Sequence, residues 1–141
     1  MFVRFIIYGL VGLSLEVAFT AINSLFTVGD KNLSGFSSLW MIPVYGLGVV
    51  FEKVHLKMDA AKIHWFHRGV IWMILIWAVE YAVGTMYKNI LGISPWTYDG
   101  KYAVDGLVRL DYGPLWFICG LFFEKLHDIL VFVQWAVRRT R

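Results

Sequence analysis

Cysteine, proline and charge are all scarce in this chain. Cys119 is the only thiol in 141 residues. A single cysteine excludes an intramolecular disulfide and any CxxC metal or redox motif, and Cys119 reads as a small buried apolar filler. The three prolines are Pro43, in the first turns of a predicted span, Pro95, in a loop, and Pro114, where another span begins. Charged residues make up 16%, against about 25% in a soluble domain. The chain is 59% hydrophobic and 18% aromatic, with a mean hydropathy of +0.63. Those values define an integral membrane protein. The net charge of +3 gives no nucleic-acid signal, because no basic stripe interrupts the apolar runs. No P-loop, nucleophile elbow or Rossmann glycine pattern appears. No cleavable signal peptide is evident, since Met1 to Phe26 is apolar for too long and contains Glu16.

What the chain does contain is a repeat. Gly48-Val49-Val50-Phe51-Glu52-Lys53-Val54-His55 returns as Gly120-Leu121-Phe122-Phe123-Glu124-Lys125-Leu126-His127. Both copies lie in long apolar runs. Crossing about 30 Å of hydrocarbon takes ~20 apolar residues per helix, and four segments qualify: about 3–27, 37–58, 69–88 and 114–137. In the first, Glu16, Thr20, Asn23 and Thr27 share one helical stripe; in the second, Tyr45, Gly48, Glu52 and His55 do. The third carries Glu80. A second echo links Glu16-Val17-Ala18 to Glu80-Tyr81-Ala82. The expected fold is all-α: a polytopic membrane protein of one domain, residues 1–141, with four transmembrane helices in an antiparallel bundle built from two repeated hairpins.

Lysine and arginine bias sets the orientation. Arg4, the basic 57–68 loop and Arg138, Arg139 and Arg141 fall on one side. Both termini are therefore expected in the cytoplasm, in a plasma or inner membrane, with the long Pro95-to-Asp111 loop facing outward. The basic loop and tail fit contact with anionic lipid. His64 and His67, in that loop, read as solvated or headgroup-contacting. Arg109 and Asp111 are placed to pair across the outer loop, and that loop reads as a cap over the bundle or a substrate lid. Partners expected are the lipid bilayer and either a second copy or another membrane protein; nucleic acid is not among them.

A centrally placed charge costs roughly 2.5–3.5 kcal/mol on insertion scales, so four glutamates on four spans require a reason. The order Glu, Glu-x-x-His, Glu, Glu-x-x-His is that of ferritin-like di-metal bundles. Glu16, Glu52, Glu80 and Glu124 with His55 and His127 would then hold two divalent transition-metal ions in an oxidoreductase. A second reading makes the four glutamates a cation or proton site for transport, with His55 and His127 auxiliary. Trp96, Tyr98 and Asp99 then shape its outer mouth. A third makes the glutamates structural, in a non-catalytic scaffold or regulator. Whether the chain is an enzyme stays open. One turn outward from the glutamates lie Thr20, Gly48, Gly84 and Gly120, which marks either close helix packing or a cavity.

A resemblance joins these features. Gly12-x-x-x-Glu16-Val17-x-Phe19-Thr20, Ser38-x-Trp40 with Tyr45-Gly46, Glu80-Tyr81-x-x-Gly84, Pro95-Trp96-x-Tyr98 and Gly106-x-x-x-Leu110-x-Tyr112 follow in order. This series resembles the ABC-transporter type IV (CmpB-like) family, which includes the transmembrane-protein-229 group. The resemblance covers nearly the whole chain and implies a four-span helical membrane protein, but little about activity. It departs at two points: the family pattern has an acidic residue after Pro-Trp, where this chain has Thr97, with Asp99 two residues on, and it does not carry both His55 and His127. The chain has no ATP-binding portion, so an ATP-driven role requires a partner.

Overall fold

Four apolar runs with few helix breakers become helices, and the computed structural model describes residues 1–140 in those terms. The role given to Arg141 at the end of the last span lies outside the described residues. Helix α1 spans Phe2–Val28, α2 Met41–Gly46, α3 Gly48–Ala60, α4 Trp65–Met86 and α5 Gly113–Arg139. The fold is all-α, apart from one two-residue antiparallel ribbon. The predicted second span, 37–58, is not one continuous helix. It breaks at Leu47, whose N–H donates to the Pro43 and Val44 carbonyls at 3.1 and 3.2 Å. The two neighbouring glycines, Gly46 and Gly48, weaken helix propensity on either side of the break.

Local chemistry sets the other ends. Gly29 stops α1 in a left-handed conformation, φ 74°, that returns its N–H to the Leu25 carbonyl. His64 precedes α4, and its Nδ1 accepts the Phe66 N–H at 3.4 Å. Pro114 stands in the first turn of α5, where no amide is needed. Beyond α4 the chain widens into a π-turn, Tyr87–Leu91. Phe2–Val28 and Trp65–Leu91 are each long and apolar enough to cross a membrane. In α5 the apolar run is interrupted by Glu124, Lys125, His127 and Asp128.

Two compact units form, 1–51 and 52–141. Within the first, α1 packs on α2; within the second, α4 packs on α5. Each contact is seated on glycine. Across the first hairpin Gly12 lies under the Tyr45 ring, and a Cβ on Gly9 would come within 2.7 Å of the Ile42 carbonyl oxygen. Across the second, Gly120 lies under Trp72 and Gly69 under the Phe117 ring. Small residues let membrane helices approach closely, and the aromatic rings fill the space that approach leaves. At Gly84 and Gly120, then, close packing rather than a cavity explains the small residue one turn from glutamate. Gly84 is covered by Leu107 and Trp96. At Thr20 the hydroxyl holds the returning loop, accepting the Phe36 N–H and donating to the Phe36 carbonyl, each at 2.9 Å.

The loop between α4 and α5 has more structure than its turn residues suggested. β1 (Ala103–Val104) pairs with β2 (Val108–Arg109), closed by Asp105 and Gly106, both at positive φ. Arg109 and Asp111 do pair: Nε donates to Oδ1 at 2.8 Å and Nη2 to Oδ2 at 3.0 Å. The guanidinium lies over the Tyr112 ring, 4.7 Å from its centre.

Substituting the two repeat-related glycines is expected to have unequal effects. A Cβ on Gly120 would overlap the fixed Cβ of Trp72, whereas one on Gly48 meets the Tyr8 ring at an ordinary 3.5 Å. Overpacking of this kind costs about 1–3 kcal/mol, so G120A should lower the detergent-solution Tm and G48A should leave it nearly unchanged. The loop should also loosen in acid. Its hydrogen bonds from Arg109 hold the Asp111 carboxyl below the usual carboxylate range. The stabilisation is therefore complete above the unfolded value, near ~3.9, and is lost as pH falls through the lower folded value. Amide exchange across 103–112 should accelerate in that acidic window, and D111N should remove the pH dependence.

Candidate functional site: a buried arginine, carboxylate and histidine network

Arg68 stands in the first turn of α4, at the end of a segment whose other basic residues face outward. Its side chain turns inward, because α5 presents a carboxylate one turn from Gly120, where the helices are closest. Nε of Arg68 donates to Oε1 and Oε2 of Glu124 at 3.0 and 3.1 Å. Nη1 donates to Oδ1 of Asp59 at 3.2 Å. Nη2 lies 2.8 Å from Nδ1 of His55. Trp72, seated on Gly120, donates its indole N–H to Glu124 Oε1 at 2.6 Å. Arg68, Glu124 and His55 are all at least nine-tenths buried. Buried charges persist only when paired and hydrogen-bonded, and both conditions are met here.

The contacts fix the histidine. Arginine has donors only, so Nδ1 of His55 accepts from Arg68 and the ring proton sits on Nε2. That Nε2–H donates to Oδ1 of Asp128 at 2.9 Å. Asp128 is half exposed, while His55 is 7% exposed at its side chain. The imidazole thus connects a buried ion pair to a carboxylate in contact with the surroundings. Nδ1 also lies 3.4 Å from Oε1 of Glu124. A neutral ring takes Arg68 as its Nδ1 partner. A doubly protonated ring would set two donors face to face there and has Glu124 Oε1 as its alternative partner.

The second repeated histidine is adjacent. His127 Nδ1 lies 3.5 Å from Glu52 Oε1, and the His55 and His127 rings meet edge to face at 5.2 Å. The second unit thus gathers Glu52, His55, Glu124 and His127, as the repeated octapeptide suggested. Glu80 is elsewhere: it lies two turns, about 12 Å, beyond Trp72 on α4. Buried there, it accepts the Tyr98 hydroxyl at 2.9 Å. Trp96 donates to the Leu107 carbonyl at 3.0 Å, and Asp99 is exposed. In the first unit, Glu16 accepts the Ser37 hydroxyl at 2.8 Å and the Tyr45 hydroxyl at 2.9 Å.

These positions do not show the expected di-metal centre. Among the described residues no group of three or more histidines, cysteines or carboxylates is placed to hold a metal ion. In the second unit the guanidinium of Arg68 supplies the positive charge at Glu124, and donors already occupy the ligand atoms of Glu124 and His55. Glu80 is too far along α4 to share that centre.

Arg68 was the functional residue not foreseen, having been grouped with the solvated basic loop. A signal for it existed. Arg4, Tyr8 and Glu16 precede Arg68, Trp72 and Glu80 by a constant 64 positions, so the arginine belongs to the repeat and not to the loop. No solved structure matches the chain. Residues 3–140 match the family model described as ABC-transporter type IV (CmpB).

The pairing makes a stability prediction. Removing one partner of a buried ion pair costs about 3–5 kcal/mol, so R68A and E124A should each unfold at markedly lower temperature. The double variant R68M/E124L leaves no uncompensated charge and should recover most of the loss, as read by thermal unfolding in detergent. With nearly its whole length matched and a helical membrane fold in place, the chain belongs to the ABC-transporter type IV family.

Proposed function

We propose that this membrane protein handles protons in a transport or transporter-assisting role, with His55, Arg68, Glu124 and Asp128 as the proton-handling group. The observation that supports this most is the position of His55. Its two ring nitrogens face opposite ways, Nδ1 toward the buried Arg68–Glu124 pair and Nε2 toward half-exposed Asp128. Histidine is the side chain suited to exchange protons near neutral pH. In the proposed step a proton from Glu124 Oε1 enters at Nδ1, and the Nε2 proton leaves to Asp128 Oδ1. Arg68 pairs with Glu124 between transfers, and its hydrogen bond to Nδ1 is released when the proton enters there.

The other glutamates take supporting roles in this reading. Glu52 with His127 forms an adjoining pair that takes up or releases a proton. Glu16 and Glu80, each met by a tyrosine hydroxyl, are further cation- or proton-binding groups, and Trp96, Tyr98 and Asp99 shape the outer mouth near Glu80. The lysine and arginine bias places both termini in the cytoplasm, which puts the Arg68 group at the cytoplasmic end of the second unit. An ATP-driven role would be supplied by a partner carrying the ATP-binding portion.

Purified protein in liposomes containing a pH-sensitive dye tests this. Under an imposed pH gradient with potassium and valinomycin, wild type should dissipate the gradient faster than empty vesicles. H55Q should slow the rate at least tenfold, while H64Q, on the exposed turn, should not. Wild-type vesicles that stay as tight as empty ones would remove proton movement altogether. Flux indifferent to both H55Q and E124Q would leave it without these residues.

A further inference from the structure

The same end of the second unit carries a charge imbalance that the Arg68 group does not use. Three charged contacts there are internal: Asp59 is taken by Arg68, and Asp128 by His55 and Lys125. Among the described residues Lys57, Lys62 and Arg138 form no ion pair. Lys57, in the last turn of α3, and Lys62, on the α3–α4 turn, are exposed, and Lys62 stands at the corner with φ 51°. Arg138 and Arg139 end α5, which runs eleven residues, about 16 Å, beyond Asp128. That length is apolar except for Gln134, and Ile129, Phe132, Val133 and Val137 on it are all about half exposed or more.

Aromatic rings accompany the cations. Arg139 lies over the Trp135 ring, 4.0 Å from its centre, and Trp65 is 57% exposed beside the turn. Tryptophan prefers the level of lipid headgroups, and long cationic side chains reach from an apolar helix to that level. A largely apolar helix end carrying cations outside any ion pair is complementary to a lipid with an anionic headgroup. We propose that Lys57, Lys62, Arg138 and Arg139, with Trp65 and Trp135, form a binding surface for the phosphates of anionic phospholipids. A soluble polyanion would match the charges but leave the apolar length of α5 uncovered. The surface is independent of proton handling, since none of its residues belongs to that group.

Native mass spectrometry of the detergent-purified chain decides the matter, with phosphatidylglycerol and phosphatidylcholine of the same acyl chains as probes. Each basic residue near an anionic surface contributes roughly fivefold in affinity. Wild type should therefore retain phosphatidylglycerol at least tenfold more strongly. K57Q/K62Q and R138Q/R139Q should each weaken that preference, and the fourfold variant should abolish it. K88Q/K101Q, which removes two charges at the far end of the unit, should preserve it. Equal retention of the two lipids by wild type would overturn the proposal, as would an equal loss in K88Q/K101Q, which would reduce the effect to net charge.

Discussion

A single guanidinium, Arg68, organises the second half of this protein. Glutamate in an apolar helix is tolerable only when its charge is met, and here Arg68 and Trp72 of α4 meet it. The pair needs the helices near one another, and the close approach depends on Gly120. Trp72 fills the space above that glycine and turns its indole N–H onto the same carboxylate. Packing and charge compensation are thus supplied by one contact region, and neither is complete without the other.

The first half solves a similar problem by different means. Gly12 stands four residues before Glu16, as Gly120 stands four before Glu124. Tyr45 lies over Gly12 and reaches Glu16 with its hydroxyl, as Trp72 lies over Gly120 and reaches Glu124 with its indole. Glu80 is one turn from Gly84, and the outer loop covers both, with Trp96 over the glycine and Tyr98 on the carboxylate. The recurring unit is a glycine and a glutamate one turn apart, bridged by aromatic side chains. At Glu16 and Glu80 hydroxyl groups donate to the carboxylate. Where an arginine meets it, protonation competes with the ion pair.

Much of this was legible in the residues. The four apolar runs gave the helices to within a few positions because hydrophobic length is a direct physical requirement of the bilayer. The octapeptide repeat brought Glu52, His55, Glu124 and His127 to one place because equal offsets on packed helices produce equal levels. Other features depended on information that periodicity does not carry. Arg68 sat among lysines and histidines, and charge counting alone could not separate an inward arginine from outward ones. The break at Leu47 arose from two glycines that individually looked tolerable. The convergence of all four glutamates on a metal pair failed at Glu80, since a stripe identifies a face of a helix but not a depth along it.

The unequal room at the two repeated glycines has a consequence for variation. Trp72 presses on Gly120 with no space to spare, whereas the smaller Tyr8 ring leaves a methyl's width at Gly48. A duplicated architecture need not drift evenly: the roomier copy can absorb side-chain growth that its tighter counterpart must refuse. Sequence diversity should therefore accumulate around Gly48 first, leaving Gly120 as the more faithful record of the ancestral hairpin.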